Sequence, residues 1–181
     1  MALMKPIFFF TGPPAAGKTT LAKAVLQHFE FGYHIPVDEI RDRVVTGHAS
    51  PTDWNDETTR QFRLAEDAAC DLAIRYQDSG FAVVIDHCQG PPRLDELIAE
   101  RLVDRSVVKV ALAPTLEVNL GRNKTRKTKD FDCSFLNVTI ERLNPLYRGE
   151  PIHEQGWIVF DNSDDDVEAA AARLLSLLSP P

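Results

Sequence analysis

The sequence predicts a three-layer α/β/α fold, with one five-stranded parallel sheet covered on both faces by helices. Three observations carry that prediction. Short β-branched or aromatic runs alternate with longer segments of helical period, as successive parallel α/β units do. The short runs are mostly unbroken apolar stretches, which strands buried on both faces require. Finally, 181 residues of 44% hydrophobic and 26% charged composition, without repeats or low-complexity segments, suit one domain spanning 1–181. Such a chain buries roughly 70% of its unfolded surface without disulfide staples.

The first strand is expected at 7–11, where four apolar residues, too few for a signal-peptide core, run into a Gly-Pro-Pro turn. A helix carrying Leu21, Val25 and Phe29 follows, then strands at 33–37 and 81–86. Between those strands Phe62, Ala65, Ala69, Leu72 and Tyr76 recur at steps of three and four, so they line one face of a long helix ending near Gly80. Pro91 and Pro92 stand where the next helix begins, with Leu94, Leu97, Ile98 and Leu102 behind them. Strands at 107–113 and 157–160 complete the sheet, and Val167, Ala170, Leu174 and Leu177 mark a last helix whose N-terminus is favoured by the acidic residues 164–166. Right-handed crossovers make the sheet doubly wound and place ligands at the carboxyl ends of its strands.

Several function classes are disfavoured. A net charge of −7 argues against broad contact with nucleic-acid phosphates, so an anionic ligand must be held by local charge. No stretch approaches the ~20 apolar residues of a membrane helix, and a cytoplasmic location is expected. Cys70, Cys88 and Cys133 are odd in number, widely spaced and without a CxxC pair, which fits reduced thiols rather than a disulfide framework or zinc ribbon. The acidic stretch from Asp161 fails as a calcium loop, because Asp166 stands where glycine is required and Ala172 where the bidentate glutamate belongs. The five histidines lack metal-ligand spacing; only His87, beside Asp86, is a candidate substrate contact.

The most specific signal follows the first strand. Gly12-Pro13-Pro14-Ala15-Ala16-Gly17-Lys18-Thr19 fits GxxxxGK[ST] without a mismatch and opens a helix, which places the sheet in the P-loop NTPase class. Successive backbone N–H groups and a helix N-terminus cradle phosphate oxygens, Lys18 reaches the β and γ phosphates, and the Thr19 hydroxyl ligates Mg²⁺. Gly12 through Thr19, with Thr20, are therefore the candidate nucleotide-binding residues. Asn162, after the fifth strand, is a candidate for the adenine pocket.

Asp86 ends the third strand across the sheet from this loop, the position from which a carboxylate orients Mg²⁺ or its waters; capping a turn or contacting the substrate are its alternative roles. After the second strand come Asp38 and, one helical turn on, Arg41. A carboxylate there can accept the proton of an attacking hydroxyl while a guanidinium grips the acceptor; a helix cap and a surface arginine are the plainer alternative. Arg60 and Arg63 are further acceptor-positioning candidates. Arg122 and Arg126 share a helix face before a polar segment, which suits a lid over about 122–134 that carries positive charge to the transferring phosphoryl group.

In the order of these motifs, Gly12 to Thr19, Asp38 with Arg41, Asp86 and an arginine-bearing lid, the chain resembles small P-loop kinases grouped with gluconate kinases, chloramphenicol phosphotransferases and the 5′-kinase domain of polynucleotide kinase. The resemblance covers almost the whole chain. It implies strand order 2-3-1-4-5, ATP with Mg²⁺ as donor, Asp38 as catalytic base and Arg126 as the lid arginine. Ala15 stands where many members carry glycine, an exchange expected to be tolerated at negative φ. The expected activity is phosphoryl transfer from ATP to a hydroxyl of a small molecule such as a sugar acid or antibiotic. A polynucleotide or nucleoside kinase, and a nucleotide-dependent switch acting on a protein partner, are the alternatives.

Overall fold

The computed structural model describes residues 5–125 and 135–178. Its sheet joins β1 (Ile7–Thr11), β2 (Gly32–Pro36), β3 (Ala82–Asp86), β4 (Val107–Leu112) and β5 (Ile158–Phe160), all parallel, in the order β2-β3-β1-β4-β5. That is the 2-3-1-4-5 order and the three-layer P-loop fold the sequence implies. Every residue of the central β1 and β3 is buried, whereas edge strands β2 and β5 are only partly covered.

Strand period two divides the core. Ile7, Phe9, Ile35, Val83, Ile85 and Ala111 face one helical layer: α3 (Asp56–Asp78), α4 (Pro91–Arg101), Tyr147 of α6 (Leu136–Tyr147) and Ile152 of α7 (Glu150–Glu154). Phe8, Phe10, Val84, Val110, Leu112 and Phe160 face α1 (Lys18–Leu26) and α8 (Val167–Ser176) on the other side. Burying each β1 phenylalanine contributes about 2 kcal/mol, and Phe8 adds an edge-on contact with Phe10 at 6.2 Å.

The remaining helices, α2 (Val37–Arg41) and α5 (Leu116–Thr125), follow β2 and β4 directly. The expected second strand, 33–37, is shifted by one residue, because Val37 already opens α2. Sequence periodicity did not reveal α6: its buried stripe is interrupted by Asn144, and Pro145 lies inside it. α3 begins at a capping box in which Asn55 accepts from the Thr58 N–H at 3.1 Å and Thr58 Oγ1 accepts from the Asn55 N–H at 3.3 Å. α8 is capped by Asp166, which accepts from the Ala169 N–H at 2.8 Å. Among the described residues no helix is long and apolar enough to cross a membrane.

Candidate active site

The loop between β1 and α1 wraps a helix N-terminus that no side chain caps. The first intrahelical bond runs from the Leu21 N–H to the Gly17 oxygen at 2.9 Å, so the amides before it point out of the helix unpaired by it. This is the anion cradle that a phosphate chain requires. Two glycines are needed for shape. A Cβ on Gly12 would sit 2.7 Å from the Leu112 carbonyl oxygen, and Gly17 has φ 96°. Ala15 also lies in the left-handed region, at φ 60°, so the condition under which alanine would be tolerated without strain is not met, and this alanine is strained by about 1 kcal/mol. Lys18 folds back over the loop, its Nζ donating to the oxygens of Gly12 at 2.8 Å and Pro13 at 3.2 Å.

Strand parity decides what faces the loop. Asp86 shares its face of β3 with Val84, toward α1, and its Oδ2 accepts from Thr19 Oγ1 at 3.0 Å. On β2, His34 pairs with Val84 and points the same way, bringing its Nε2 to 2.6 Å from the same oxygen. Burial would raise the Asp86 carboxyl, but His34, Lys18 and Thr19 outweigh it and hold the group below the usual carboxylate range. The ionised carboxylate thus accepts from His34 Nε2–H. A hydroxyl and an ionised carboxylate are the hard oxygen donors that suit Mg²⁺, and with the uncapped α1 they make the residues present a fit for a magnesium nucleotide.

His87, one residue further, projects to the opposite face. It is fully buried against α3, its Nε2 lying 2.9 Å from Glu66 Oε1 and its ring 5.9 Å from that of Phe62. Arg93 of α4 donates to Glu66 Oε2 at 2.6 Å. Burial pushes the Glu66 carboxyl up, yet the hydrogen bonds and charges of His87 and Arg93 prevail and lower it. Asp38, in the first turn of α2, accepts a 3.4 Å hydrogen bond from the Cys88 thiol, which burial and that carboxylate push up. From α6, Tyr147 reaches Thr11 Oγ1 at 3.2 Å; Thr11 donates to the Gln89 oxygen at 2.6 Å.

Residues 7–139 match the family described as AAA domain. The chain belongs to that family. The match runs from β1 into the first turn of α6 and so includes the P-loop, Asp38 and Asp86 of this AAA domain. Three solved structures share its fold over nearly the full chain. The Deinococcus radiodurans tunicamycin resistance protein is 18% identical, with 98% of this chain and 99% of that chain covered at a TM-score of 0.68. A sugar kinase from Janibacter sp. is 20% identical, with 96% and 94% covered at 0.66. Shikimate kinase from Acinetobacter baumannii, solved in complex with shikimate, is 19% identical, with 96% and 93% covered at 0.62. At these identities the likeness establishes the fold. No curated protein matches the sequence.

The AAA domain distributes the remaining sequence candidates unevenly. Arg41 is buried: it donates to the Ala49 oxygen at 2.8 Å and to Asp42 at 3.0 Å, and its guanidinium carbon lies 4.6 Å from the Phe62 ring centroid. Gln61 holds the same loop through Gly47 and Ala49, and Trp54 stacks on Phe62 with centroids 5.0 Å apart. Arg60 and Arg63 lie on the exposed face of α3, opposite Phe62 and Glu66, with Arg60 paired to Glu57 at 2.7 Å. Arg122 spans the outside of the P-loop, donating to the oxygens of Asn162 at 2.7 Å and Ala16 at 3.3 Å, and Asn162 Nδ2 donates to the same Ala16 oxygen at 3.0 Å. Arg126 and most of the expected lid, like Cys133, fall outside the described residues.

Sequence reading missed His34, Glu66 and three asparagines. Asn119 donates to the Pro14 oxygen at 2.6 Å; Asn144 donates to Asn119 Oδ1 at 3.2 Å and to the Pro114 oxygen at 2.8 Å; both are buried. Asn123 Nδ2 donates to Asn137 Oδ1 at 2.9 Å. The one available signal was polarity on an otherwise apolar stripe, as at Glu66 between Ala65 and Ala69.

Proposed function

We propose that the chain is an ATP-dependent kinase that transfers the γ-phosphoryl group to a hydroxyl of a small molecule. The observation that carries this reading is the juxtaposition of the Thr19 hydroxyl with an ionised Asp86 at the mouth of an uncapped P-loop helix, while Asp38 stands at the end of the neighbouring strand. Thr19 and Asp86 would hold Mg²⁺, which supplies charge neutralisation between the phosphates. Lys18 exchanges its loop carbonyls for phosphate oxygens, and the α1 amides stabilise the charge on the transferring group. Asp38 orients the acceptor hydroxyl and takes its proton. The named activities of structural neighbours, a sugar kinase and a shikimate kinase bound to shikimate, support a small hydroxylated acceptor.

Arg122 is assigned here to bracing the P-loop against β5, which leaves a transition-state role to Arg126. Arg41 acts on the acceptor side by shaping the 42–55 loop rather than by gripping substrate.

The test is ADP formation from ATP and Mg²⁺ with polyhydroxy acids, aminoglycoside-like and phenicol antibiotics, nucleosides and 5′-hydroxyl oligonucleotides, against water alone. One acceptor is expected to raise turnover by orders of magnitude and emerge phosphorylated, with Asp38→Asn lowering kcat about 100-fold or more while ATP binding persists. Unchanged turnover in Asp38→Asn would remove the proposed base.

A further inference from the structure

The acceptor side contains a group of donors unlike the all-oxygen pair at Thr19 and Asp86. Ligand atoms of Asp38, His87 and Cys88 lie within 4.8 Å of one another, and Cys88 Sγ is already 3.4 Å from Asp38 Oδ1. Tetrahedral zinc, with bonds of about 2.0–2.3 Å, spaces its ligands by roughly 3.3–3.8 Å, so the widest gap closes with a shift of about 1 Å. His87 adds a second observation. The ionised Glu66 accepts from Nε2–H, and Nδ1 is buried with no hydrogen-bond partner among the described residues. A carboxylate that fixes one imidazole nitrogen and leaves the other without a protein partner is the arrangement that orients a metal-ligating histidine. Arg93 anchors that carboxylate from its far side.

We propose that Asp38, His87 and Cys88 form a site for a thiophilic divalent cation, Zn²⁺ or a metal of similar softness, separate from the magnesium site, and that filling it shuts off the acceptor side. Sulfur, imidazole and one carboxylate select zinc over magnesium. On binding, the Cys88 S–H bond is replaced by an S–Zn bond and its proton, with any proton on His87 Nδ1, leaves to solvent, so that a thiolate and the Asp38 carboxylate together balance the two positive charges of the ion. Asp38 is partly exposed and gives the ion its path in, while the Cys88 thiol itself is buried. The site stands on its own geometry; only the inhibition rests on Asp38 being the base of the proposed kinase.

The full chain, free of nucleotide, is titrated with Co²⁺ while the thiolate-to-cobalt charge-transfer absorption is recorded, then with Zn²⁺ to displace it. Expected are saturation at one cobalt per chain, displacement by zinc, loss of the band in Cys88→Ser, retention in Asp86→Asn, and about 10-fold weaker binding in Glu66→Gln. A missing thiolate band in the unaltered protein overturns the site. So does a band that survives Cys88→Ser, which places the metal on another cysteine, or one lost in Asp86→Asn. Alkylation of the unaltered protein, mapped by mass spectrometry, needs no variant: Zn²⁺ must protect Cys88, and equal labelling with and without zinc overturns the proposal. Stoichiometric zinc should also abolish acceptor-dependent turnover. Intact turnover with zinc bound at Cys88 contradicts the inhibitory half of the proposal and the assignment of Asp38 as base, while leaving the metal site in place.

Discussion

The P-loop side and the acceptor side meet at the ends of β1 and β3, yet they are built differently. On the P-loop side the backbone shapes the site: an uncapped helix, glycines at positions 12 and 17, and a lysine folded over loop carbonyls. On the acceptor side buried side chains hold one another: Arg93, Glu66 and His87 in a row, and Arg41 with Gln61 under the 42–55 loop. The difference teaches that mutations in the P-loop should act on chemistry, and those in the buried side-chain rows of the second side, Asp38 apart, on stability.

The largest expected effect tests the first half of that contrast. Lys18→Ala should lower kcat about 1000-fold, as loss of a charge-stabilising donor does, and leave the melting temperature nearly unchanged. A marked loss of thermal stability would show that Lys18 braces the loop and would blur the distinction. Glu66→Ala should do the reverse. It leaves the Arg93 guanidinium and a buried imidazole without their common partner, and urea titration should show a loss of about 3 kcal/mol.

Because Glu66 is held below the ordinary carboxylate value of 4.5, the unfolded chain takes up a proton there before the folded one as pH falls. Its contribution is complete above that value and drains away as pH drops through the folded value. The stability gap between the native chain and Glu66→Ala should therefore narrow on acidification below about pH 4.5, and a gap that widens instead would refute the lowered carboxyl.

Arg41→Ala removes the donor to the buried Ala49 carbonyl, and a loss of about 2 kcal/mol is expected with faster proteolysis in the 42–55 loop. A raised KM for the acceptor with stability intact would return Arg41 to the role of a substrate grip. The smallest effect is expected at Ala15. Ala15→Gly relieves the strain at φ 60° and should raise or preserve stability, by at most about 1 kcal/mol, with Mg²⁺-nucleotide affinity retained.

The same contrast explains what could be read from the sequence. The P-loop was legible because its chemistry is local: each of Gly12, Gly17, Lys18 and Thr19 has its task fixed by neighbours a few residues away. The strands were legible to within a residue because parallel strands buried on both faces carry unbroken apolar runs. His34 was not, since its role comes from an Asp86 that lies 52 residues on and becomes a neighbour only through β2–β3 pairing. Glu66 and His87 are 21 residues apart, and neither carries a motif. Arg41 illustrates the converse, a charged residue beside a site whose contacts with Ala49, Asp42 and Phe62 could not be read from its position in the sequence. Ala15 shows that residue type alone is a weak guide to φ when a loop is held by Asn119 and by the sheet.

The alternation of β3 has one more consequence. Asp86 and His87 are adjacent in sequence, yet one serves the P-loop face and the other the α3 face, solely because consecutive strand residues point oppositely. A single-residue deletion within β3 would break that phase, aiming the His87 imidazole at Thr19 and moving Asp86 into the buried apolar position that Ile85 holds on the α3 side. The same deletion in the turn between α4 and β4 would disturb neither. Tolerance to insertion and deletion in this chain is thus set by strand phase, and a scan of one-residue deletions should find its sharpest boundary at the end of β3.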